Sequence, residues 1–140
     1  MDKVFIEWSD TYNTGITKID IQHKVIIKIL NELYSIVIID NNKYKIDDIL
    51  NELVQYTIYH FGEEEKLFEK YNYTDEKEHK AEHKIFIDKI NKIIKDKNKY
   101  TDSSILDLIE FLKDWLTEHI LVTDNKYSVF FKNKGIIIKN

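Results

Sequence analysis

Tyr59-His60-Phe61-Gly62-Glu63-Glu64-Glu65 is the stretch from which the rest of the chain can be read. It lies late in a helical pattern whose apolar positions are Ile46, Ile49, Leu50, Leu53, Val54, Phe61, Leu67 and Phe68. His60 and Glu64 are four residues apart, so a helix projects them from one face, one turn above the other. That face is the apolar one. An imidazole and a carboxylate turned together into a core are costly unless something there satisfies them. A metal ion would do so.

Working outward, the same periodicity recurs three more times. Thr17-Lys18-Ile19-Asp20 matches a capping box and predicts the start of a first helix, with Ile19, His23, Ile26, Ile27, Leu30, Leu33 and Val37 on its stripe and an end near Asp40-Asn41-Asn42. The second helix covers about 46–70. Asn72-Tyr73-Thr74 interrupts the pattern, and Asp75 with Glu78 can cap a third helix whose stripe is His79, His83, Phe86, Ile90, Ile93 and Ile94. A turn over Asn98–Ser104 precedes a fourth, carrying Ile105, Leu108, Ile109, Leu112, Trp115, Leu116 and His119 and running to about Phe131. Four amphipathic helices with short connections predict an all-α, up-down-up-down antiparallel four-helix bundle. The chain reads as a single domain over 1–140, with an irregular N-terminal arm over 1–18, the bundle over 19–131 and a tail over 132–140. Trp8, Tyr12 and Ile16 anchor the arm, and Ile136, Ile137 and Ile138 pack the tail over the bundle end or offer an apolar patch.

Composition agrees. A chain of 140 residues can bury a real core, and 43% apolar with 33% charged residues is the balance of a globular protein. The sequence has no Pro and only three Gly, which favours long helices over many short strands. The net charge of −4, with Lys and Glu interspersed, offers no basic stripe for nucleic acid. The absence of Cys excludes disulfides, thiol catalysis and thiolate metal sites. There is no signal-peptide pattern at the N-terminus, and no run approaches the roughly 20 apolar residues of a membrane span. A cytoplasmic protein, independent of membranes, is expected.

All five histidines, His23, His60, His79, His83 and His119, fall on apolar stripes, and every helix contributes at least one. A lone histidine on such a stripe is an ordinary core residue. Five of them, converging at one level of a bundle, are hard to keep in a dry core without metal. His79 and His83 have the one-turn spacing of a metal-gripping pair, which alone is a weak signal. Glu64 shares its face with His60, while Glu63 and Glu65 read as surface charges. Asp124 follows His119 by five residues, an offset of about 140° on an ideal helix. A local π turn would bring it inward; otherwise it is a solvated charge. Imidazole and carboxylate without sulfur suit iron, manganese or zinc. Two octahedral ions offer about twelve positions. Five imidazoles, two bridging carboxylates and a bridging oxygen leave roughly one of them open, for one small ligand.

These residues, in this order, resemble the hemerythrin family, specifically its single-domain bacteriohemerythrins. The resemblance covers nearly the whole chain: Ile6-Glu7-Trp8-Ser9, Gly15-Ile16, Ile19-Asp20-Ile21-Gln22-His23, His60-Phe61-x-x-Glu64-Glu65, His79-x-x-Glu82-His83 and Trp115-Leu116-x-x-His119-Ile120-x-x-x-Asp124. It implies a non-haem centre of two iron ions, bridged by oxide or hydroxide, that binds O2 reversibly. His79, His83 and His119 would hold one iron, His23 and His60 the other, with Glu64 and Asp124 bridging and the open position on the two-histidine iron. Phe61, Trp115, Leu116 and Ile120 would keep the O2 pocket dry. Asp20, Gln22 and Glu82 are candidates for orienting imidazoles through the second ring nitrogen. Phe68 stands where the family often has Met, and Thr74 where it often has Pro; neither is a ligand.

The resemblance implies a binding protein rather than an enzyme, serving O2 carriage, storage, delivery or sensing, with NO or small anions able to occupy the same position. A di-iron redox enzyme is the second class. Ferritin-like oxidases use carboxylate-rich shells, whereas five neutral imidazoles offer less anionic charge to stabilise high-valent iron, which counts against oxygenase chemistry and leaves weak peroxide or NO turnover open. A sensor acting through a separate partner is the third. A monomer is expected, with an oligomer as the alternative.

Overall fold

The computed structural model describes residues 5–39, 45–96 and 102–138. Among the described residues, five α-helices follow a short 3-10 turn: α1 Thr17–Tyr34, α2 Ile46–Tyr71, α3 Glu76–Lys95, α4 Asp102–Glu118 and α5 Asn125–Asn133. A π-helical segment, His119–Asp124, joins α4 to α5, so these act as one long rod with a defect in its middle. Each of α1 to α4 packs against its neighbours in sequence and α1 also meets α4, which closes the up-down-up-down four-helix bundle. The Asp40-Asn41-Asn42 end of the first helix, and residues 98–101 of the turn before the fourth, lie outside the described residues.

The stripes become the core. Ile26, Leu30 and Leu33 of α1, Leu50 and Leu53 of α2, Phe86 and Ile90 of α3, and Leu108, Leu112 and Leu116 of α4 form one large apolar cluster. A smaller second cluster, Ile16, Ile19, Phe68, Tyr73, Tyr127 and Phe131, fills the other end. Thr57, on the core face of α2, is tolerated because its hydroxyl donates back to the carbonyls of Leu53 and Val54 at 2.8 and 3.0 Å. Helix α2 ends where Asn72 turns left-handed at φ 53°, a conformation Asn accepts more readily than most residues.

The arm lies along α1. Asn31 brackets the Ile6 backbone, accepting from its N–H at 2.8 Å and donating to its carbonyl at 2.9 Å, while Phe5 stacks on Tyr34. The expected capping box at Thr17 does not form: the residue before the helix is Ile16 and offers no side-chain cap. Asp20 instead turns to Thr14, accepting from its N–H at 2.7 Å and its hydroxyl at 2.8 Å. Thr14 sits before the glycine turn and reaches the carboxylate first with two donors. The Ser128 hydroxyl donates to the Thr14 carbonyl, so this loop is tied to α5 as well. Asp75 precedes α3 but likewise makes no side-chain cap bond. In the tail, Ile136 and Ile138 pack against the second cluster while Ile137 is left in solvent.

Candidate metal centre

A polar layer separates the two apolar clusters. On α1, His23 lies between Ile19 of one cluster and Ile26 of the other; on α2, Phe61 and Phe68 flank Glu64 in the same way. The layer consists of His23, His60, Glu64, His79, His83, His119 and Asp124, all buried, the two carboxylates completely. The structure thus brings together all seven residues that the sequence singles out.

The π segment explains Asp124. In an i→i+5 turn, residues five apart stack on one face, so His119 and Asp124 both point inward while Leu121 and Val122 between them are pushed out to 42% and 51% exposure. Asp124 then serves three helices at once. Its Oδ1 is 3.0 Å from His79 Nε2 and 3.1 Å from His119 Nε2, and its Oδ2 is 3.0 Å from His23 Nε2. Glu64 Oε1 lies 3.0 Å from His60 Nε2 and 3.4 Å from His83 Nε2.

Behind the imidazoles stand acceptors. His60 Nδ1 is 2.6 Å from the Gln22 amide oxygen, His83 Nδ1 is 2.9 Å from a Glu65 carboxylate oxygen, and His119 Nδ1 is 3.1 Å from Glu82. An amide or carboxylate oxygen only accepts, so Nδ1 carries the proton and a neutral ring turns its Nε2 lone pair to the centre. The Thr123 hydroxyl donates to Glu82 at 2.8 Å and holds it in place. Two of the residues suspected of this role, Gln22 and Glu82, orient imidazoles; Asp20 does not, being engaged by Thr14.

Without metal this layer is poorly satisfied. Among the described residues, the Nε2 atoms of His23, His79, His83 and His119 and all four oxygens of Glu64 and Asp124 have no hydrogen bond of normal geometry. Adjacent donors on an octahedral ion with bonds of about 2.1 Å lie about 3.0 Å apart, which is the spacing seen. The cluster therefore fits metal ions. Among the described residues, seven His, Asp and Glu side chains form two groups of closely spaced donors: Glu64, His79, His83, His119 and Asp124 in one, His23, His60 and Glu64 in the other.

In the metal-free state the protons distribute unevenly. Burial alone would lower the His119 imidazole, but Asp124 and Glu82 outweigh it and push it up to about 10. In His83 burial is likewise overcome, by Glu64 and Glu65, and the ring is raised. At His60 burial prevails over Glu64 and the ring is lowered. Burial and Asp124 oppose ionisation of Glu64, yet His60 and His83 hold it below the usual carboxylate range. Asp124 is held well below that range too, by His119, His23 and His79 against its own burial.

Of the four residues expected to line a dry pocket, Phe61, Leu116 and Ile120 belong to the large cluster, and Trp115, partly buried, packs against it. Phe61 stacks on His83 with ring centroids 3.8 Å apart, and Trp115 on His119 at 4.4 Å. Leu116 and Ile120 are buried beside them.

Three residues escaped the sequence reading. Glu65 looks like a surface charge but lies one turn beyond Phe61 and so faces His83. Thr123 lies one residue before Asp124 and is drawn in by the same π turn. Tyr127, three residues after Asp124, is completely buried. Its phenol is pushed well above the usual range by burial, Glu64 and Asp124.

A four-helix bundle closed around a buried histidine–carboxylate cluster suited to metal ions defines the class of this protein. Residues 14–129 match the model of the Hemerythrin HHE cation binding domain. The chain is 36% identical over 126 residues to the bacteriohemerythrin of Clostridium acetobutylicum, covering 86% of this chain and 96% of that one. A hemerythrin-like protein of Naegleria gruberi is 31% identical over 122 residues, with 86% and 88% coverage. A solved structure of wild-type hemerythrin superposes with a TM-score of 0.80 at 28% identity, over 89% of this chain and 95% of that one. The chain belongs to the hemerythrin family. The matching domain is described as one that binds cations. Among the described residues no helix is long and apolar enough to cross a membrane.

Proposed function

We propose that this protein binds O2 reversibly at a pair of iron ions held in the polar layer. His79, His83 and His119 would hold one ion, His23 and His60 the other, with Glu64 and Asp124 shared between them and an oxide or hydroxide completing the centre. The observation that carries this reading is the cluster of unsatisfied Nε2 and carboxylate atoms at coordination spacing, buried between two apolar layers. Iron bound there supplies the electrons that O2 takes up on binding. The chain's own residues do the rest. Gln22, Glu65 and Glu82 fix three imidazoles in the tautomer and orientation that present Nε2 inward. Phe61, Trp115, Leu116 and Ile120 exclude water from the neighbourhood of the open position, so that bound O2 leaves as O2. NO and small anions fit the same position. We place the protein in the cytoplasm, as a monomer, in O2 carriage, storage, delivery or sensing.

The test is the absorption spectrum of the reduced, iron-loaded protein under anaerobic conditions, then with O2, then after O2 removal. A visible band that appears with O2 and disappears without it is expected. Direct passage to a fully oxidised spectrum, with no reversible band, would contradict the proposal.

A further inference from the structure

The two halves of the layer are unequal, and we infer that they fill in order: Glu64, His79, His83, His119 and Asp124 take up a metal ion first, and His23 and His60 complete a second position only afterwards. This rests on the reading of the layer as a two-metal centre.

Three observations carry it. The first is donor number. The three-histidine half presents donor atoms from five residues, all within 4.8 Å of one another, whereas the other half has three and must borrow Glu64 to reach that count. The second is what stands behind the rings. His83 and His119 each have a carboxylate at Nδ1, and Glu82 is further fixed by Thr123. His60 has only the neutral amide of Gln22. A carboxylate acceptor raises the basicity of the imidazole and so its grip on a cation, an effect that commonly amounts to 10–100-fold in metal affinity. The third is the placement of Asp124, whose Oδ1 touches two imidazoles of the first half and whose Oδ2 touches one of the second. An ion in the first half draws on both carboxylates. A second ion then meets carboxylates already partly neutralised and a neighbouring dication.

The consequence is chemical. When metal is scarce, the molecule holds one ion, and the half left empty is the one proposed to accept O2. A redox-inert ion such as zinc, arriving first, would occupy the three-histidine half and leave iron only the weaker position.

Stepwise addition of Co(II) to the metal-free protein without O2, followed by calorimetry and the visible spectrum of the bound ion, tests the order. Two resolved steps are expected, the first at least about tenfold tighter. In Glu82→Gln, a change at a partly exposed residue, the first step weakens by about 10–100-fold and the second stays within about threefold. The double variant His23→Gln/His60→Gln, checked for helicity by circular dichroism, binds one ion with close to the original first-step affinity. Uptake of both ions in one indivisible step, a first step unmoved by Glu82→Gln, or a folded double variant that binds nothing would each overturn the order. A wild-type protein that binds no ion at all would overturn the two-metal reading itself.

Discussion

The three-histidine and two-histidine halves of the polar layer are made of the same side chains yet behave as different environments. In the first, imidazoles are backed by Glu65 and Glu82, and the facing carboxylates hold His119 protonated up to about pH 10 and raise His83. In the second, His60 is backed by a neutral amide and burial lowers its affinity for protons. The lesson is that ligand identity alone does not set the character of a site. The residues one shell out decide which imidazoles are basic and which are not.

The sharpest way to break this comparison is to remove what the halves share. Asp124→Ala strips carboxylate from both, so it should abolish uptake of both ions, while His60→Ala should cost only the second. Leaving His79, His119 and His23 buried without their counter-charge should also destabilise the metal-free bundle by about 3–5 kcal/mol in denaturant unfolding. Equal metal loss in the two variants would erase the distinction between halves.

Acidity separates the halves next. His119 is raised to about 10 from an ordinary 6.5, so its contribution to metal-free stability is complete below pH 6.5 and lost as pH climbs through 10. His60 is lowered from 6.5, so the unfolded chain binds its proton more readily and stability falls as pH drops below 6.5. Glu64 and Asp124, both lowered, add to the acid loss below their ordinary values of 4.5 and 3.8. The melting temperature of the metal-free protein should therefore peak near pH 6.5. Loading with metal, which displaces the His119 proton, should flatten the alkaline slope. An alkaline slope that is the same with and without metal would place His119 outside the site.

The smallest effect expected is at Thr123. Thr123→Val removes the hydroxyl that fixes Glu82; a bond to a charged group contributes about 1.5–3 kcal/mol, but this one reaches the metal only through Glu82 and His119, so only the first ion should weaken, by a few-fold. A change in the second step instead would break the assignment of Glu82 to the first half.

Most of this was legible in the sequence because the signals were periodic. The stripes of α1 to α4 place His23, His60, His79, His83 and His119 on core faces without any knowledge of tertiary contacts, whereas the five-residue offset of Asp124 left a π turn and a solvated charge both open, and the structure contains the turn. What escaped depends on contacts between helices. Glu65 reads like its neighbour Glu63 as a surface charge, and its place one turn beyond Phe61 gains meaning only once α2 packs on α3 and Phe61 meets His83. The same applies to Asp20, whose partner was decided by the path of the Asn13–Gly15 loop rather than by helix-cap rules. The Tyr127 phenol was hidden because α5 continues beyond the π turn in a phase the α4 stripe does not give.

Anomalous diffraction at the iron edge from crystals of the iron-loaded protein tests the central claim most directly. Two peaks are expected inside the bundle, one among His79, His83 and His119 and one beside His23 and His60, with Glu64 and Asp124 reaching both. A single peak with His23 and His60 unengaged, or peaks at the surface with the polar layer empty, would contradict the account.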